Sequence, residues 1–335
     1  MKLLRILLFP IVPIYYLVTW FRNLFYDLGW KTSTSFSFPV ICVGNLSTGG
    51  TGKTPMIEYL VSLLKQDYEL ATLSRGYGRK TKGFRLAGKE DTAETLGDEP
   101  FQFYNKFKEF ISVAVDSNRV RGINELLSLQ HPDVVLLDDA FQHRKVKAGL
   151  NILLTTYNDL YINDFVLPTG NLREPKTGAK RADIIVVTKC PDNLLEEERR
   201  RIVGMLQPKA HQQVFFSYIT YSKHVFTEVN KLPLAELKPF TLVTGIANPK
   251  PLLNVLNEKG LHFNHMQFKD HHAFSDKDIT KITTNNKVIV TTEKDYMRLL
   301  EFKALKSKLF YLPIEIGFYD TANFNKVIKS FIKAF

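Results

Sequence analysis

"VGNLSTGGTGKTP", residues 43–55, governs how the rest of the chain is read. A nucleotide phosphate-binding loop runs Gly, four residues, then Gly-Lys-Ser/Thr. Gly52, Lys53 and Thr54 supply the end of that pattern, while Ser47 stands where the first glycine is expected. Gly49 and Gly50 can take positive φ, so the amides of Gly49, Gly50, Thr51 and Gly52 can curl around an anion. "FPVICVGN" before the loop has strand character, and 54–65 after it has helical spacing. Strand, glycine loop and helix N-terminus together form a phosphate site rather than an ordinary turn.

Working outward, apolar runs at 70–73, 111–115, 134–138, 152–155, 184–188 and 214–219 read as strands. Helical stretches fall between them at 97–106, 119–128 and 193–206. Such alternation predicts an α/β fold with a doubly wound, mostly parallel sheet of the P-loop nucleoside triphosphate hydrolase type. Ligand chemistry should then gather at the carboxyl ends of the strands. After "FFSYITYSK" the pattern restarts with "FTLVTGIANP", "LHFNHMQFKD", "KVIVTTEKD" and "LFYLPIEIGF". Three regions are expected: an N-terminal aromatic helix over 1–35, the phosphate-loop domain over 36–221, and a smaller α/β domain with a C-terminal helix over 222–335.

The chain has 335 residues, 44% of them hydrophobic and 24% charged, which excludes global disorder. A net charge of +11 calls for a polyanionic partner: nucleic acid, an acidic membrane surface or a phosphorylated substrate. Cys42 and Cys190 lie far apart in apolar runs, as reduced core thiols do. The first thirty residues favour a membrane surface. Residues 6–21 are apolar but fall short of the ~20 a spanning helix needs, and Pro10 and Pro13 interrupt them. Trp20, Phe21, Phe25, Tyr26 and Trp30 alternate with Arg22 and Lys31, which suits a helix lying among lipid headgroups. Packing of that helix on the protein's own core is the competing expectation.

Acids and cations cluster where strands should end. "DVVLLDDAFQHR" closes a buried strand on Asp138 and Asp139, the place for a Mg²⁺-binding carboxylate. Neighbouring side chains on a strand face opposite ways, so one of the two should meet the metal, Asp138 first. Asp98 and Glu99 open a helix, where they could equally be capping acids. Arg75 follows a strand and is placed to clamp an anion. Arg173 and Glu174 flank a proline, and Asp270 precedes His271 and His272 without the spacing of a zinc site.

"GNLSTGGTGKTP", "SRGYGR" (74–79), "GDEP" (97–100), "DDAFQHR" (138–144), "LREP" (172–175), "VTKC" (187–190) and "KDHHAF" (269–274) occur together and in this order. With them the chain closely resembles the tetraacyldisaccharide 4′-kinase (lipid A 4′-kinase) family over nearly its whole length. The resemblance implies transfer of the γ-phosphate of ATP, with Mg²⁺, to the 4′-hydroxyl of an acylated glucosamine disaccharide 1-phosphate. It places that reaction at the cytoplasmic face of the inner membrane of a Gram-negative bacterium, by a peripheral enzyme expected to be monomeric. Lys53 and the loop amides would then hold the β- and γ-phosphates, with Thr54 on Mg²⁺ beside Asp138, and Asp139 and Glu174 completing or orienting the site. The resemblance also makes Asp98 the base, supported by His271, and Arg119, Gln142 and His143 grips for the disaccharide. A GTPase switch is disfavoured because Asp192 in "TKCPD" lies one residue too far. A nucleic-acid partner is disfavoured because no zinc spacing or RNA-binding signature occurs.

Overall fold

The computed structural model describes residues 8–227, 229–270, 272–284 and 288–335. After a helix over Val12–Asp27, the chain forms β1 (Val40–Asn45), β2 (Leu70–Ser74), β3 (Arg85–Leu86), β4 (Ile111–Val115), β5 (Val134–Asp138), β6 (Leu150–Thr156), β7 (Ile184–Cys190) and β8 (Gln213–Tyr221). A second group follows: β9 (His224–Phe226), β10 (Lys231–Pro233), β11 (Phe240–Thr244), β12 (Phe263–Gln267), β13 (Ile289–Thr292) and β14 (Leu309–Leu312). The last strand, β15, is Ile314–Phe318. The larger sheet has nine strands in the order β15-β8-β7-β6-β1-β5-β2-β4-β3. Its seven inner strands are mutually parallel, while β3 and β15 close the edges antiparallel. The loop-bearing strand β1 therefore lies between β5 and β6, the place where a doubly wound sheet gathers its ligand site.

Every residue of β1 and β5 is buried, as strands covered on both faces require. Gly44 is forced by packing: a Cβ there would lie 2.6 Å from Cβ of Phe141, so the turn after β5 closes directly onto β1. The P-loop helix Lys53–Leu64 buries Met56, Ile57, Leu60, Val61 and Leu64. Each such side chain contributes on the order of 1.5–3 kcal/mol through burial.

The smaller sheet runs β10-β9-β14-β13-β11-β12, with β11, β12, β13 and β14 parallel. Here the sequence reading needs correcting. "LFYLPIEIGF" is two strands on two sheets, because Pro313 separates β14 from β15 and cannot donate to a continuing ladder. β15 pairs with β8 from Ile314↔Tyr221 to Phe318↔Ser217, so the chain after residue 313 rejoins the larger sheet instead of finishing the smaller unit. The C-terminal helix Thr321–Lys333 goes with it. It buries Phe324, Ile328 and Ile332, stacks Phe324 on Phe318 at 4.0 Å, and takes a hydrogen bond at Asn325 from Tyr59 of the P-loop helix (2.8 Å). Two adjacent crossings thus join the lobes, and Ser222 N–H donates to the Pro313 carbonyl between them (3.1 Å).

A buried ionic triad fastens the lobes further in. Lys106 Nζ lies 2.6 Å from Glu58 on the P-loop helix and 3.0 Å from Glu293 of the smaller lobe. Gln102 Nε2 donates to the other oxygen of Glu58 (2.8 Å). Burial and the charge of Glu58 push the Glu293 carboxyl up to about 8 against the opposing pull of Lys106.

Candidate active site

The phosphate loop is rigid because other strand ends hold it. Gly49 (φ 120°) and Gly52 (φ 93°) take the left-handed conformations that the loop needs. The sequence pointed to Gly49 and Gly50; Gly52, not Gly50, is the second, and it caps the helix that Lys53 begins. Thr48 N–H donates to the Asn171 carbonyl (2.7 Å), and Arg173 N–H to that of Leu46 (2.8 Å). From the end of β7, Thr188 Oγ1 donates to the Thr51 carbonyl (2.8 Å) and Lys189 Nζ to that of Gly50 (2.5 Å). "VTKC" therefore buttresses the loop, a role that its spacing did not disclose. The Gly50 and Thr51 carbonyls are tied back in this way and the Thr51 N–H donates to the Gly49 carbonyl (3.1 Å), so an anion would be met by the remaining loop amides.

Lys53 Nζ bonds Asn45 Oδ1 at 3.4 Å and lies 3.6 Å from Asp139 Oδ1. Both acids reach the lysine's neighbourhood, contrary to the expectation that one would turn away. β5 ends at Asp138, and Asp139 adopts φ 47°, so the strand's alternation stops between them. Arg173 Nη1 donates to both oxygens of Asp139 (2.9 and 3.0 Å). Asp138 is 7% exposed; Ser74 donates to its Oδ2 (3.2 Å), while Oδ1 is buried with no hydrogen-bond partner among the described residues. Burial, then the charge of Asp139, pushes the Asp138 carboxyl up to about 7, with Lys53 opposing. A buried carboxylate oxygen with no donor suits a cation.

Glu174 does not belong to that set. Its Oε1 accepts from Arg181 (2.8 Å) and Gln142 (3.0 Å), and its Oε2 from Asn23 of the N-terminal helix (2.6 Å). At 1% exposure, with both oxygens taken, it bolts the helix to the core instead of meeting Mg²⁺. Two proposed sugar grips are likewise engaged within the protein. Arg119 is 2% exposed and donates to the backbone carbonyls of Asp116 (2.8 Å) and Asp138 (3.4 Å), so it fixes strand ends from beneath. Gln142 donates to the Asn45 carbonyl (2.8 Å) as well as to Glu174. His143 sits beside them. Burial, reinforced by Arg119, Lys145, Arg22 and Arg75, pushes its ring down to about 4, so it is neutral near pH 7. Arg75 remains exposed after β2.

Asp98 opens the helix Asp98–Phe107 just after Gly97, whose φ of 96° and 3.0 Å gap to the Tyr77 carbonyl leave no room for a side chain. It lines a cleft of about 230 Å³ between the lobes, together with Thr54, Glu58, Glu99, Leu252 and Leu312. Its described partner is Arg298 of the smaller lobe, 2.9 Å from Oδ2. His271, the partner implied by the resemblance, lies outside the described residues. The neighbouring His272 pairs with Asp278 (3.1 Å).

A glycine loop between a buried strand and a helix, with its lysine facing two acids at the end of the adjacent strand, defines a P-loop nucleotide-dependent phosphotransferase site. A family model, Tetraacyldisaccharide-1-P 4′-kinase, matches residues 4–333, and the chain belongs to that family. It is 53% identical to the tetraacyldisaccharide 4′-kinase of Flavobacterium johnsoniae over 99% of this chain and 98% of the relative. Identity to the kinase of the same name from Bacteroides thetaiotaomicron is 43%, over 97% and 93% of the two chains. The crystal structure of LpxK from Aquifex aeolicus in complex with ATP superposes with a TM-score of 0.81 at 29% identity, covering 98% of this chain and 99% of that one.

Proposed function

We propose that this protein transfers the γ-phosphoryl group of ATP to the 4′-hydroxyl of tetraacyldisaccharide 1-phosphate, giving lipid IVA in lipid A synthesis. The observation that carries this reading is Lys53 of the phosphate loop set 3.6 Å from Asp139, next to the Asp138 oxygen that has no hydrogen-bond partner among the described residues, with Thr54 and Asp98 lining one cleft. The loop amides and Lys53 bind the phosphates and hold them in line for attack. Asp98, on the wall of the cleft, takes the proton of the sugar hydroxyl as its oxygen bonds to phosphorus. Arg75, exposed after β2, would meet an anionic group of the substrate.

The residues present also fit Mg²⁺. Among the described residues no cluster of three or more His, Cys, Asp or Glu side chains could hold a metal alone. Mg²⁺ ordinarily takes one or two carboxylates and fills its shell with phosphate oxygens and water. Asp138, through its unpartnered oxygen, and the Thr54 hydroxyl would hold it, with Asp139, tied to Arg173 and Lys53, orienting the site; when bound it neutralises charge on the phosphates.

The N-terminal helix offers such a protein a way to meet a lipid. One face docks: Tyr15 donates to the Arg173 carbonyl (2.9 Å), Arg22 to that of Gln142, and Asn23 to Glu174. The other face presents Ile14, Leu17, Val18 and Phe21, at i, i+3, i+4 and i+7, all exposed. No helix among the described residues is long and apolar enough to cross a membrane. An apolar stripe held beside the phosphate loop suits peripheral attachment to the cytoplasmic face of the inner membrane, by a monomer.

Deleting the helix would also remove its ties to Glu174 and Arg173, so substitution of the outer face is the cleaner test. Ile14→Ser, Val18→Ser and Phe21→Ser together should weaken binding to anionic vesicles by at least about 10-fold. Turnover of a short-chain, water-soluble acceptor should stay within about twofold, since the docked face is untouched. Vesicle binding that survives the triple substitution would place the membrane contact elsewhere.

A further inference from the structure

The "TEKD" stretch of the smaller lobe (292–295) has no part in the reaction as described so far, yet its second acid, Asp295, is fully buried. Asp295 Oδ2 accepts from Gly245 N–H (2.7 Å) and from Thr292 Oγ1 (2.8 Å). Gly245 has to be glycine for this approach, because a Cβ would stand 3.0 Å from Asp295 Oδ1 and 3.4 Å from the Lys269 carbonyl. One helical turn onward, Arg298 puts Nη1 3.5 Å from Asp295 Oδ1 and Nη2 2.9 Å from Asp98 Oδ2. Its side chain is 15% exposed, against 38% for that of Asp98. A rigid acid in one lobe therefore aims a planar, two-pronged cation at the cleft carboxylate of the other lobe.

We propose that Arg298 is a positioning residue for Asp98. Anchored by Asp295, its guanidinium occupies Oδ2, fixes the carboxylate plane and leaves Oδ1 to accept the proton of the acceptor hydroxyl. The pair forms across the lobes, so the base is correctly oriented only when the smaller lobe sits as it does here. This inference rests on the reading of Asp98 as the base.

The test measures kcat and KM for ATP in Asp98→Asn, Arg298→Ala, Arg298→Lys and the Asp98→Asn/Arg298→Ala double variant, with lipid disaccharide in mixed micelles. Arg298→Ala should lower kcat by about 10- to 100-fold, part of what a positioned base supplies, with KM for ATP within about twofold. Arg298→Lys keeps the charge but not the fork and should recover part of the loss. The double variant should be no slower than Asp98→Asn alone, because the arginine acts only through that carboxylate. Multiplied losses, or wild-type kcat in Arg298→Ala beside a crippled Asp98→Asn, overturn the positioning role and leave the base assignment standing. Wild-type turnover in Asp98→Asn overturns the base assignment and the positioning role with it. Should Arg298→Ala fail to fold, Arg298→Lys decides: lowered kcat at constant KM for ATP supports the proposal, and unchanged kcat overturns it.

Discussion

A Lys53→Ala protein should fold normally and lose at least about 100-fold in kcat, the scale for removing one preorganised donor from a developing phosphoryl charge. Folding should survive because Lys53 is not what holds the site together. Asp139 keeps its two bonds from Arg173, and the loop keeps its ties to Thr188, Lys189 and Asn171. What disappears is the one ammonium that lies between Asn45 and Asp139 at the start of the P-loop helix. Steady-state kinetics on a variant with an unchanged melting temperature checks this. Turnover within a few-fold of wild type would remove the phosphate loop from the chemistry.

The second large effect should come from Asp138→Asn, where activity and stability move in opposite directions. The carboxylate is buried with one oxygen unpartnered and a second acid as its neighbour, so its charge is costly while no cation is bound. Asparagine fills the same space without the charge. In metal-free buffer at pH 8 the melting temperature should rise by about 1–3 °C. Turnover with ATP and Mg²⁺ should fall by at least about 100-fold, because the phosphates lose a cation-binding oxygen. A variant that is both less stable and nearly fully active would show Asp138 to be a structural acid.

The phosphate loop, the strands that flank it and the acids after β5 were legible because each is written in contiguous residues with a local physical meaning. Glycines permit a turn, apolar runs make buried strands, and polar residues interrupt them where the sheet ends. Bonds between distant segments left no such trace. Asn23 with Glu174 and Arg298 with Asp98 are separated by 151 and 200 residues, and neither pair has a periodicity to reveal it. That is why Glu174 passed for a metal ligand and Arg119 and Gln142 for sugar grips. Acids and amides near a strand end look alike whether they serve the substrate or the scaffold. The return of the chain to the larger sheet was partly written. Pro313 inside an otherwise continuous strand is a signal of a break, but not of which sheet receives the next residue.

The most direct measurement supplies ATP labelled in its γ-phosphate, Mg²⁺ and tetraacyldisaccharide 1-phosphate in mixed micelles, and locates the label in the product. The account predicts a labelled phosphomonoester on the 4′-oxygen, formed one for one with ADP and abolished in Lys53→Ala. Label found only in inorganic phosphate, or as a pyrophosphate on the existing 1-phosphate, would contradict it.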